Sequence, residues 1–127
     1  MKEVVRTEAA PAPFQGAPYS QAIKAGGLVF VAGQVSVKPG DKEISGETIQ
    51  EQTEQVLANL GAILEAAGSG FDRLVKTTVF LQSLDDFQGM NEIYAKHVGE
   101  LPPARSTVEV ARLPSGALVE IEAIALA

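Results

Sequence analysis

The stretch from Thr48 to Gly68, TIQEQTEQVLANLGAILEAAG, constrains this chain more than any other. Thr48 and Glu51 have the Thr-x-x-Glu spacing of a capping box, in which each side chain satisfies a backbone N–H that the first helical turn leaves without a partner. Val56, Leu57, Leu60, Ile63 and Leu64 then recur at intervals of three and four, the period of a helix with one apolar side. Gly68 supplies the stop. Glu54, Gln55 and Asn59 fall on the opposite, polar face. A helix with one apolar stripe is stable only against another layer, so the rest of the chain has to provide that layer.

The flanking segments read as strands. EVV near the N-terminus is a short one, followed by a Pro/Ala/Gly-rich irregular segment that ends near Tyr19. QAIKAGGLVFVAGQV predicts a hairpin turning at Gly26-Gly27, with Leu28 to Val35 buried. KPGDKEISG is a loop. RLVKTTVFLQ is rich in β-branched residues and reads as a strand. Ser83 with Asp86 is expected to cap a second helix that runs to about Gly99, with Phe87, Met90 and Tyr94 on its inner stripe and Asn91 on the same side. ARSTVEVARLPSGALVEIEAIALA then gives two strands around Pro114-Ser115-Gly116. The order is three strands, helix, strand, helix, two strands. This is an α+β arrangement, with both helices on one face of a mixed sheet.

The chain's 127 residues suit a single domain spanning 1–127. Sixteen acidic residues against ten basic ones give a formal charge of −6. That sign disfavours nucleic-acid backbones and anionic membranes. The lack of cysteine excludes disulfides and thiolate chemistry, and the lone histidine, His97, cannot build a two-histidine metal site. His97 is accounted for by a helix C-terminus or by exposure, and Asp85 and Asp86 by a first helical turn rather than a metal pair. No apolar run has the length of a signal peptide or membrane span, so a cytoplasmic location is expected.

Against this background a few residues stand out. Alternation along the strand from Ala104 sets Arg105, Thr107 and Glu109 against Ala104, Ser106, Val108 and Val110. In the last strand Val119, Ile121, Ala123 and Ala125 share one face, and Leu118, Glu120, Glu122 and Ile124 the other. Pro102-Pro103-Ala104 delivers Arg105 at the mouth of its strand, and apolar Leu118 and Ile124 flank the glutamates. Solvated polar faces are the ordinary account of such charges, and these two features weaken it here. A hairpin centred on Pro114-Ser115-Gly116 would put Arg105 opposite about Ala125 and Glu120 opposite about Val110, roughly 17 Å apart. A site using both then needs two chains. Tyr19 is either a core tyrosine or a pocket wall, and Asn91 requires hydrogen-bond partners, internal or in a ligand.

The segments GAPYSQAIKAGGLVFVAGQV, LVKTTVFLQSLDDFQGMNEIY and PPARSTVEVARLPSGALVEIEAIA together resemble the RidA/YjgF family of reactive-intermediate deaminases, over essentially the whole chain. The resemblance implies a chorismate-mutase-like fold and a homotrimer with clefts between subunits. It also implies a cofactor-free hydrolysis of 2-imino acids, such as 2-iminobutanoate and 2-iminopropanoate, to 2-keto acids and ammonia. The imines would come from enamines released by pyridoxal-phosphate dehydratases. Arg105 resembles the family's carboxylate anchor, and Glu120, the first acid of Glu-Ile-Glu, the residue that handles the attacking water. Tyr19 and Asn91 resemble its pocket residues, and Gly33 a position whose backbone lines the cleft. Thr107 stands where some members carry cysteine. Gly-Ala-Pro-Tyr replaces the Gly-Pro-Tyr of many members just before Tyr19. Rival readings within the same fold are a ribonuclease or translation inhibitor, and a non-catalytic ligand-binding regulator or chaperone.

Overall fold

A computed structural model describes residues 1–127. The strands are β1 (Glu3–Val5), β2 (Ala22–Ala25), β3 (Leu28–Gln34), β4 (Leu74–Leu81), β5 (Ala104–Glu109) and β6 (Val119–Leu126). The helices are α1 (Ile49–Ala66) and α2 (Phe87–Val98). All six strands join one mixed sheet in the order β1-β2-β3-β6-β4-β5, and only the β4–β5 pair is parallel.

The local signals in the sequence hold closely. Thr48 Oγ1 accepts from the Glu51 N–H at 3.1 Å, and the Glu51 carboxylate accepts from the Thr48 N–H at 3.1 Å, so the capping box is complete. The Glu47 N–H, which donates to the same carboxylate, and then the Thr48 N–H hold the Glu51 carboxyl below its ordinary pKa. Gly26 and Gly27 both have positive φ, as a two-residue hairpin turn demands. Three expectations need correction. Asn59 is not on an outer polar face of α1 but buried, because its amide satisfies the Val35 and Val37 carbonyls. Ser83 accepts from the Asp85 N–H and caps a 3-10 turn over Leu84–Asp86, while Asp86 stands at the start of α2 without capping it. The largest correction concerns the end of the chain.

Strands β5 and β6 do not form a hairpin. β5 pairs with β4, and β6 is inserted between β3 and β4. Pro114–Gly116 is a 3-10 turn within a longer crossing between the two strands, not a hairpin tip. Burial accounts for the exchange. Val119, Ile121, Ala123 and Ala125 are all buried, as a central strand requires, whereas Ala104, Ser106, Val108 and Glu109 are exposed, as suits an edge. A parallel β4–β5 pair also needs a crossover, and α2 is that crossover.

Both helices cover one face. Val56, Leu57, Leu60, Ile63 and Leu64 of α1 and Met90 and Tyr94 of α2 join Val29, Val79, Leu81 and Ile121 of the sheet in one core. The loop before α1 is tied down by amides. Asn59 donates to the Val35 and Val37 carbonyls, and Gln52 accepts from the Leu118 N–H while donating to the Gly46 carbonyl. The other face of the sheet has no helix over it. Val4, Phe30 and Val108 there are each about two-fifths exposed. No helix is long and apolar enough to cross a membrane.

Candidate active site

The singled-out residues fall into two groups on opposite sides of the sheet. Arg105 is in register with Thr77 of β4, and Glu120 is in register with Phe80 of the same strand. Thr77 and Phe80 are three positions apart, an odd number, so their partners point to opposite faces. Thr77 faces the helices, where it is buried and its hydroxyl meets that of Tyr94 at 2.6 Å. Arg105 therefore lies on the helix side and Glu120 on the uncovered side.

On the helix side, the Arg105 guanidinium carbon lies 4.8 Å from the ring centre of Tyr94 and 5.5 Å from that of Phe87. Stacking on aromatic faces fixes the plane of the fork and leaves its N–H edges for an anion. The inner stripe of α2 explains the geometry, since Phe87 and Tyr94 are two turns apart on one side of the helix. Arg105 and Tyr94 share a shallow groove with Asn91, Pro102 and Pro103. Thr107 follows on the same face of β5, with its hydroxyl buried and unpartnered. No carboxylate forms an ion pair with Arg105; the chain's one such contact is His97 Nε2 to Glu54, at 3.3 Å.

On the uncovered side, Glu120 lies in a cleft of about 420 Å³ together with Tyr19, Gly33, Gln34, Phe14 and Pro114. Burial, and secondarily the Glu122 charge two residues on, pushes the Glu120 carboxyl above its ordinary pKa. Gly33 occupies the irregular part of β3, where the register with β6 shifts between Val31 and Gln34. A Cβ on Gly33 would collide with Glu120 Oε2. The glycine thus leaves room for the carboxylate at this point, which any larger residue would push aside. Tyr19 reaches the cleft despite the extra alanine before it. Its hydroxyl accepts from the Phe14 N–H at 2.5 Å, and its own N–H donates to the Ala17 carbonyl, which folds Phe14–Tyr19 into a compact rim.

The sequence marks Arg105, Glu120, Tyr19, Gly33 and Asn91, but not the aromatic bed beneath Arg105 or the part played by Phe14 and Pro114. The seven-residue spacing of Phe87 and Tyr94 was the available signal for the first. Nothing in the sequence signals the second, because the crossing between β5 and β6 brings Pro114 to the cleft. No group of three or more acidic or histidine side chains forms a metal-ligand set.

The model of the family described as Endoribonuclease L-PSP matches residues 7–127. The chain belongs to the RidA/YjgF family. A RutC family protein of Pyrococcus horikoshii is 54% identical over 125 residues, covering 98% of each chain. The chloroplastic Reactive Intermediate Deaminase A of Arabidopsis thaliana is 52% identical over 124 residues, covering 98% of this chain and 65% of that longer one. A solved Rid-family protein of unknown function from Yersinia pestis superposes with a TM-score of 0.94 at 44% identity, covering 100% of both chains. The two-helix, six-stranded α+β domain is therefore the fold of this Rid family.

Proposed function

We propose that this Rid-family protein hydrolyses small 2-imino acids, such as 2-iminobutanoate and 2-iminopropanoate, to 2-keto acids and ammonia. The observation that carries the proposal is an unpaired guanidinium stacked on Tyr94 and Phe87, with its hydrogen-bonding edges free for a carboxylate. The chemistry then needs little more than water and a proton carrier. Water adds to C2 of the protonated imine as the π pair moves to nitrogen, and Glu120 takes the proton that water releases. The same proton passes to nitrogen, the C–N bond breaks with its pair leaving on ammonia, and the C2 hydroxyl gives its proton back to Glu120 as the carbonyl forms, for release to the departing ammonia. A half-buried carboxylate whose pKa is raised suits both halves of this transfer. Neither step draws on a cofactor.

In this reading Arg105 anchors the carboxylate, Thr107 and Asn91 contact substrate beside it, and Tyr19 and the Gly33 backbone line the Glu120 side. The two half-sites lie on opposite faces of one subunit, so a working site joins two copies. The half-exposed Val4, Phe30 and Val108 on the uncovered face favour self-association. We take the assembly to be the homotrimer that the chorismate-mutase-like family fold implies, acting after pyridoxal-phosphate dehydratases in the cytoplasm.

The family description favours a second reading, endoribonuclease activity. The charge of −6 and the engagement of the single histidine with Glu54 and the Ile93 carbonyl weigh against it. The deciding experiment is a coupled assay with a threonine dehydratase. Faster release of 2-oxobutanoate in the presence of this protein supports deamination; an unchanged rate, with cleavage of an RNA probe, favours the nuclease.

A further inference from the structure

We infer that Gln15 is a specificity-determining residue of the Glu120 cleft, selecting 2-imino acids whose side chain carries a neutral hydrogen-bonding group. The inference rests on the deaminase reading above and adds to it the class of substrate side chain.

Four side chains in the lining of the cleft can hydrogen-bond: Gln15, Tyr19, Gln34 and Glu120. Three have partners or a role of their own: the Tyr19 hydroxyl accepts from the Phe14 N–H and keeps its O–H to donate, the buried Gln34 amide donates one N–H to the Ala32 carbonyl at 3.2 Å, and Glu120 is the proton carrier. Gln15 is exposed at the mouth of the cleft and is the remaining amide.

Its backbone adds a second, independent observation. Gln15 has φ 55° and ψ 28°, the left-handed region that glycine or asparagine occupies at less cost. The turn around it is pinned by Gly16 N–H to the Pro13 carbonyl, Ala17 N–H to the Phe14 carbonyl and the Tyr19 hydroxyl contact. Strained residues persist where their surroundings over-determine them, and they gather at binding sites. Ser115, next to the cleft-lining Pro114, has φ 52°, so a second turn beside the cleft is held in the same left-handed form.

A 2-imino acid has three arms at C2. With the carboxylate on Arg105 and water delivered by Glu120, the side chain is the arm left to reach the rim. The rest of that wall is apolar, from Pro11, Phe14, Val35 and Val37, so the Gln15 amide is its polar reader. The nearby Glu120 and Glu122 and the acidic net charge disfavour a second carboxylate there. A hydroxyl or carboxamide fits.

The test uses imines generated in situ by an L-amino-acid oxidase from homoserine and from norvaline, which differ by a hydroxyl in place of a methyl. Imine escaping the enzyme is trapped with semicarbazide. The natural protein should prefer the homoserine imine in kcat/KM. Gln15→Gly, which accepts positive φ freely, should keep its Tm and its norvaline-imine turnover while the preference falls roughly three- to tenfold, the range of one uncharged hydrogen bond. Gln15→Asn, which also tolerates the left-handed region and retains an amide, should restore part of it. An equal preference in the natural protein and Gln15→Gly would overturn the inference alone. Turnover of neither imine by the natural protein would overturn the deaminase reading and this inference with it.

Discussion

Arg105 and Glu120 project from opposite faces of the same sheet, the first in register with Thr77 of β4 and the second with Phe80. Three residues along β4 is about 10 Å, and the two strands lie on either side of it, about 10 Å apart. Side chains aimed away from one another across that sheet do not meet in one subunit. Any chemistry requiring both is a property of an assembly.

Subunit mixing tests that relationship. Arg105→Ala and Glu120→Gln should each be inactive alone. In a randomly exchanged one-to-one mixture, about a quarter of the interfaces in a cyclic oligomer should combine an intact arginine with an intact glutamate. Activity should return to about that level. A mixture as dead as its parents, or a monomeric mass at micromolar concentration, would rule out the shared site.

Arg105→Lys separates anchoring from charge. Lysine keeps the positive charge but loses the planar fork and its stacking on Tyr94 and Phe87. Turnover of 2-iminobutanoate should fall at least tenfold, and 2-oxobutanoate should bind more weakly by calorimetry, with little change in Tm. Full activity with unaltered ligand affinity would leave Arg105 as a surface charge on an edge strand.

Glu120→Gln should lose turnover by about 10²–10⁴-fold, the usual range for a general acid/base group, while carboxylate ligands still bind. Gly33→Ala should lose activity for a different reason, since its Cβ displaces the Glu120 carboxylate. Glutamine at 120 would bring no further loss in the Gly33→Ala background if the two act through one carboxylate. Additive losses in the double variant would separate them.

The pH dependence follows from the Glu120 environment. Glu120 works ionised, and its pKa is raised by burial and then by Glu122. The acidic limb of kcat/KM should therefore lie above the ordinary glutamate range. Glu122→Gln removes the smaller of the two causes and should move that limb to lower pH. For stability the sign is opposite. The folded state holds this proton more tightly, so the contribution is full below the unfolded pKa and is lost as pH rises through the folded one. Glu120→Gln should accordingly flatten the fall in Tm across that window. A limb that does not respond to Glu122→Gln would mean that another group sets it.

The elements of the fold were legible because their signals are local. The Thr48–Glu51 box, the stripe from Val56 to Leu64 and the Gly26-Gly27 turn each act within a few residues of sequence, and each stands in the structure as the residues dictate. The same holds for the alternation that separates Arg105 and Thr107 from Ser106 and Val108, because a pleat reverses at every residue. Strand pairing is different. Pro114-Ser115-Gly116 resembles a hairpin turn locally, but which strand lies beside which is settled by burial across the sheet. β6 presents an apolar row that only a central place can cover, and β5 does not, so β6 took the position between β3 and β4. That exchange carried Pro114 to the Glu120 cleft and placed β4 between the strands that carry the two charges. The residue types were written in the sequence, and the side of the sheet on which each one works was decided by long-range packing.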